Sequence, residues 1–204
     1  MTEMVFLPQT RGIYRLKIPF ENLYTSVFLI EAEGKKILVD CAAKASDVDV
    51  HILPALKEAG CEPNDIDMLV LTHRHSDHAG GLARICEIMP AVEVITDLRV
   101  LADGIATYPL AGHTADCIGV FDARTGTLIS GDGLQGAGVD KYRCSLVDKA
   151  AYRKTIETLT EDKRIENVLF SHAYEPWYTD AVFGRKAVLD CLLKCTEYIR
   201  NSAV

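Results

Sequence analysis

Four side chains able to ligate a metal ion, His73, His75, Asp77 and His78, lie within six consecutive residues. The segment before them, Ile66-Asp67-Met68-Leu69-Val70-Leu71, is mostly apolar and reads as a buried strand. After them come Gly80-Gly81 and the spacing Leu82, Ile85, Cys86, Met89, a turn running into a helix. The cluster is therefore expected where a rigid strand empties into a loop, at the strand's carboxyl end, where open sheets tend to place their sites.

The spacing has a chemical use. In an extended segment side chains at i and i+2 point the same way, so His73 and His75 can grip one ion from one side. Once the backbone turns, the adjacent Asp77 and His78 can point to a second position nearby. Imidazole suits zinc, iron, nickel or copper, and a carboxylate adds a hard ligand that neutralises charge. A single histidine at a strand end is ordinarily structural or solvated; four ligand types in six positions are poorly explained that way.

The order His-x-His-x-Asp-His-Ala-Gly-Gly resembles the signature of the metallo-β-lactamase superfamily, and the resemblance continues along nearly the whole chain in the family's order. Ala111-Gly112-His113-Thr114 supplies a Gly-His-Thr segment, and Leu128-Ile129-Ser130-Gly131-Asp132 supplies a Gly-Asp step after an apolar strand. Val168-Leu169-Phe170-Ser171-His172 supplies a last histidine after a late strand, and Ile37-Leu38-Val39-Asp40 an early strand ending in aspartate. The fold implied is an α/β (α+β) protein, an αββα four-layer sandwich of two mixed β-sheets flanked by helices. Without the resemblance, the pattern of elements says only α/β or α+β.

The resemblance implies His73, His75 and His113 on one metal, Asp77, His78 and His172 on the other, and Asp132 bridging both. Two divalent ions are implied, zinc before manganese or iron, sharing a hydroxide that attacks a carbonyl or phosphoryl centre. No Ser or Cys nucleophile is then required. Asp40 has two readings, a turn carboxylate or a group that orients a ligand histidine from behind, and the family pattern favours the second. Thr114, beside His113, is given the same supporting role. Tyr142 and Tyr174 are candidate donors to the oxyanion or leaving group, with plain packing as the alternative.

Composition narrows the partners. At 204 residues the chain suffices for one domain with a substantial core, taken as residues 1–204. A net charge of −7 without grouped Lys or Arg argues against a nucleic-acid surface. No run approaches the roughly 20 apolar residues of a membrane span. The opening Met-Thr-Glu-Met-Val-Phe-Leu-Pro has no basic stretch followed by an apolar core, so no signal peptide is expected. Seven cysteines, an odd number with no Cys-x-x-Cys pair, do not suit a full disulfide framework. The expectation is a reduced, cytoplasmic protein acting on a small molecule, without nucleic-acid or membrane partners, and with a homo-oligomer left open.

In chain order, strands are expected over 13–18, 25–32 and 36–40, then a helix over 46–59 with Ser46 as N-cap and Gly60 as its stop. Pro54 inside it implies a kink or a later start. His51, outside every motif, reads as a surface histidine. A helix over 82–89, strands over 92–96, 117–122 and 128–130, a helix over 148–160, a strand over 167–171 and a closing helix over 183–199 follow. Gly133 to Val139 reads as a flexible apolar loop bordering the site, and Cys191 and Cys195, one helical turn apart, as core packing.

Three departures from the family pattern bear on substrate. Asp116 adds negative charge close after His113, and the last histidine sits in Ser-His-Ala-Tyr-Glu-Pro. Only 32 residues follow His172, with Arg185-Lys186 as the one basic pair, so the glutathione recognition of the glyoxalase II-like branch is not expected. The function implied is a metal-dependent hydrolase of an ester, thioester, lactone or related bond. The alternative from another class is a single-iron persulfide dioxygenase on the same fold. A diiron redox protein is disfavoured because His75 stands where that pattern has Glu, and nuclease action is disfavoured by the acidic charge.

Overall fold

The structure is a computed structural model that describes residues 4–21, 23–134, 146–174 and 179–201. The chain divides into two compact units, Met1–Thr96 and Asp97–Val204, each built on one six-stranded mixed sheet.

In the first unit, β1 (Leu7–Thr10), β2 (Ile13–Phe20), β3 (Leu23–Ala32) and β4 (Lys35–Val39) form an antiparallel meander. β5 (Met68–Val70) then lies parallel to β4, and β6 (Glu93–Ile95) parallel to β5. The helix α1 runs through three consecutive segments, Ala45–Asp47, a π-helical turn Val48–Ile52, and Leu53–Glu58. The π turn falls just before Pro54, whose missing N–H and ring clash oppose a regular i→i−4 ladder, so the expected disturbance is realised as a wide turn. Ser46 is not the N-cap: Lys44 holds that position, without a side-chain hydrogen bond, and Ser46 lies within the first turn. Gly60 ends the helix at φ +69, as expected of a stop glycine. The helices α2 (Ser76–Ala79) and α3 (Leu82–Ile88) follow β5.

One sheet face packs Leu16, Ile18, Val27, Leu29, Leu38 and Leu69 against Val48, Ile52, Leu56 and Ile85 of the helices. The alternate residues Ile13, Phe28, Ile30, Ile37, Val39 and Val70 are buried too, so these strands read as continuous apolar runs. Arg15 shares that second face, buried, with its guanidinium 5.0 Å from the centre of the Phe28 ring.

The second unit holds β7 (Val100–Ala102), β8 (Ile105–Pro109), β9 (Ile118–Asp122), β10 (Thr127–Ile129), β11 (Asn167–Tyr174) and β12 (Thr179–Phe183), in the order β12-β11-β10-β9-β8-β7. Only β10 and β11 pair in parallel. The helices α4 (Lys149–Glu161) and α5 (Arg185–Asn201) cover one face, where Tyr152, Ile156, Leu159, Val188, Leu192 and Ile199 meet Leu110, Leu128 and Val168. Cys191 and Cys195 are buried in this core, as expected of packing cysteines.

Two corrections concern the second unit. The closing helix starts at Arg185, not at 183; Phe183 ends the edge strand β12, and Gly184 at φ +86 separates the two. The hairpin β7–β8 was not expected at all, although its two-residue Asp103-Gly104 turn is a strong hairpin signal. Among the described residues no helix is long and apolar enough to cross a membrane.

Candidate metal centre

The first unit brings its candidate ligands together through two parallel strand ends. Val39 of β4 is in register with Val70 of β5, so Asp40 and the segment Leu71–His73 leave the sheet side by side. Asp40 N–H donates to Val70 O (2.9 Å), and Thr72 N–H donates to Asp40 Oδ1 (2.8 Å). Asp40 and Ala42 both have φ near +60, which non-glycine residues adopt only where surrounding structure holds them. What holds them is the turn carrying His78. The His78 carbonyl accepts from Cys41 N–H (2.8 Å) and from its thiol (3.3 Å), and Gly80 N–H donates to Ala42 O (2.9 Å). Burial pushes the Cys41 thiol well above its ordinary range, so it stays a donor.

The Ala-Gly-Gly of the motif has a steric cause. A Cβ at Gly80 would lie 1.9 Å from Ala43 O, and one at Gly81 would lie 2.2 Å from Cys41 O. Only glycine lets the ligand-bearing turn come this close to the 40–43 backbone.

Behind the ligands runs a buried relay. His78 Nδ1 donates to Asp40 Oδ2 (2.7 Å), and Thr72 Oγ1 donates to the same oxygen (2.9 Å). With its own proton spent there, Thr72 Oγ1 accepts from His73 Nδ1 (3.1 Å). Both rings are thereby fixed with Nε2 as the lone-pair atom. His73 Nε2 meets His75 Nδ1 at 3.0 Å, and His78 Nε2 lies 3.6 Å from Asp77 Oδ2. His73 and His78 are buried, whereas His75 is exposed.

The second unit assembles its candidate ligands by register as well. Ile129 of β10 is in register with Leu169 of β11, and Asp132 and His172 each lie three residues further on. Asp132 Oδ1 lies 3.3 Å from His172 Nε2, and Oδ2 lies 3.7 Å from His113 Nε2. The Asp132 carboxylate thus stands between two imidazoles, all three side chains no more than 4% exposed. Gly131 adopts φ +52 to make the turn, and a Cβ on Gly133 would meet Leu110 Cβ at 2.6 Å.

These spacings suit a cation. Ligand atoms about 2.0–2.2 Å from a tetrahedral ion stand about 3.4 Å from one another. The ring-nitrogen and carboxylate pairs within each unit span 3.0–3.7 Å, close to that spacing. His73, His75, Asp77, His78, Asp132, His113 and His172 are thus groups that could bind metal ions.

The other expected residues divide. Asp40 takes the orienting position. Thr114 closes the turn by accepting at its carbonyl from Gly112 N–H (3.0 Å), while its Oγ1 makes no hydrogen bond among the described residues. Tyr142 and residues 135–139 of the glycine-rich loop lie outside the described residues; Tyr174 ends β11, and its side chain is not among them. Asp116 is exposed after His113. Arg185 is engaged structurally, donating to Thr160 O, Ile165 O and Leu159 O at the end of α4, and Lys186 pairs with Asp190. Sequence reasoning missed Thr72 and Cys41. A hydroxyl directly before the first ligand was the one available signal for Thr72; nothing local marks Cys41.

A sequence model of the metallo-beta-lactamase superfamily matches residues 21–102. The chain is 35% identical over 96 residues, 45% of its length, to a 7,8-dihydropterin-6-methyl-4-(beta-D-ribofuranosyl)-aminobenzene-5'-phosphate synthase of Methanocaldococcus jannaschii, and covers 31% of that protein. It is 22% identical to a hydroxyacylglutathione hydrolase of Legionella pneumophila over 204 aligned positions, 87% of this chain and 77% of that one. Among solved structures it is similar to the metallo-beta-lactamase FIM-1 from Pseudomonas aeruginosa in its mono-zinc form, with a TM-score of 0.73 at 18% identity over 97% of each chain. The two mixed sheets with their helices are the metallo-β-lactamase fold. Residues 21–102 thus match the metallo-β-lactamase superfamily, and the chain as a whole has that superfamily's fold.

Proposed function

We propose that this protein is a metal-dependent hydrolase that cleaves an ester, thioester, lactone or related bond of a small molecule. The observation that carries the reading is Asp132 set between His113 and His172, a carboxylate with one oxygen toward each ring. His73, His75 and His113 would hold one divalent ion, Asp77, His78 and His172 a second, and Asp132 would bridge them. Zinc fits the imidazole-rich donor set best. Bound there, the metal would supply a water nucleophile ionised near neutral pH and polarise the bond under attack.

The chain's own residues have separate tasks. The Asp40 carboxylate keeps the Nδ1 protons of His78 and, through Thr72, of His73 on the side away from the centre, so that both rings keep one orientation throughout turnover. Asp132 and Asp77 offset positive charge where the substrate would bind. Tyr142 and Tyr174 are the proposed donors to the oxygen that gains charge. With Arg185 committed to α4, glutathione is not the proposed substrate.

The test is hydrolysis of a thioester, lactone and phosphodiester panel by zinc-loaded and chelator-stripped protein, with His113→Ala alongside. Activity that needs the metal and vanishes in His113→Ala is expected. Turnover that survives chelation, or full activity in His113→Ala, contradicts the reading.

A further inference from the structure

The turn that carries His113 is gripped from one side by the start of α4. Three successive carbonyls of that turn are hydrogen-bonded there. Ala111 O accepts from Thr155 Oγ1 (2.8 Å), Gly112 O from Asp148 N–H (3.0 Å), and His113 O from Val147 N–H (3.4 Å). Gly112, at φ +144, lies so close to Tyr152 that an added Cβ would stand 2.5 Å from the tyrosine Cβ. The Asp148 side chain caps α4 by accepting from Ala150 N–H and Ala151 N–H, both at 2.9 Å, which fixes the helix start that donates to the turn.

Thr155 differs from its neighbours on the helix. A helical threonine usually returns its hydroxyl proton to its own helix, and Thr158 and Thr160 do so, donating to Lys154 O and Ile156 O. Thr155 instead donates to a carbonyl 44 residues away, two residues before the ligand. Its side chain is nearly buried, at 8% exposure, and that donation is the bond lost if the hydroxyl is replaced.

We infer that Thr155 is a positioning residue for His113: its hydroxyl holds the 111–113 turn on α4 and so sets where the His113 ring delivers Nε2 to a metal ion. The inference rests on the reading of His113 as a metal ligand.

The test uses the full chain stripped of metal and titrated with Co(II) in competition with a chromophoric chelator, together with the visible spectrum of the cobalt-loaded protein. Thr155→Val keeps the side-chain volume and removes the donor; Thr155→Ser keeps the donor. Thr155→Val is expected to bind cobalt roughly tenfold more weakly, with altered ligand-field bands, while Thr155→Ser restores both. Thr155→Ala removes the same donor with a better helix former, so it is expected to show the same loss even if valine disturbs folding. Wild-type affinity and spectrum in Thr155→Val or Thr155→Ala overturn the inference, as does a serine variant as weak as valine. His113→Ala separates the two levels. If it binds cobalt like wild type, the metal reading fails; if it loses cobalt while Thr155→Val does not, only the positioning role fails.

Discussion

Asp40 and His78 form a wholly buried pair, carboxylate Oδ2 to imidazole Nδ1 at 2.7 Å. The same oxygen takes the Thr72 hydroxyl, and through it His73 Nδ1, so one carboxylate orients a histidine assigned to each of the two proposed ions. Its backbone, at φ +62, is bent to reach both.

Replacing Asp40 by Asn keeps the shape but gives one acceptor oxygen where two were in use. Metal affinity is expected to fall about 10–100-fold, the usual cost of losing a partner behind a ligand. Chelator competition measures it; unchanged affinity would mean the relay does not orient the ligands.

Gly80→Ala is expected to cost several degrees of melting temperature, because the new Cβ meets the backbone oxygen of Ala43 at 1.9 Å. Neither backbone can yield without moving His78 or Asp40, and overpacking of this kind costs about 1–3 kcal/mol or more. Thermal denaturation followed by circular dichroism checks it, with metal content expected to fall in parallel.

Away from the centre, hydrogen bonding to the Arg164 guanidinium holds the Asp162 carboxyl down to about 2, and Tyr108 adds a donor at 3.2 Å. A depressed carboxyl stabilises the fold above the unfolded value of about 3.9 and loses that contribution as pH falls through about 2. Asp162→Asn is therefore expected to lower the melting temperature at pH 7, with the difference closing at strongly acid pH. Arg164 is 67% exposed and screened by solvent, so the effect is expected to stay under about 1 kcal/mol. Melting curves from pH 7 downward decide it.

Legibility followed how local each cause was. The candidate ligands could be picked out because strand ends and ligand chemistry leave marks within a few residues, and the His-x-His-x-Asp-His run needs only one strand and one turn. The core strands and α4 could be read from their apolar spacing. β12 could not, being a half-buried edge strand with little alternation between Thr179 and Phe183. The β7–β8 hairpin, by contrast, is marked locally by its Asp103-Gly104 turn. Ser46 misled because a capping residue type carries weight only at a helix start, and this one begins two residues earlier. Asp40 with Thr72, and Thr155 with Ala111, join residues 32 and 44 positions apart, so only the folded chain reveals what those side chains touch.

The most direct test of the two-metal account is the element-resolved metal content of protein purified without added metal, for wild type and Asp132→Ala. The account predicts about two zinc or manganese ions per chain. In Asp132→Ala, with the bridging carboxylate gone, it predicts a reduced content on an intact fold by circular dichroism, and no hydrolysis. A single iron per chain, or a full metal complement in Asp132→Ala, would contradict it.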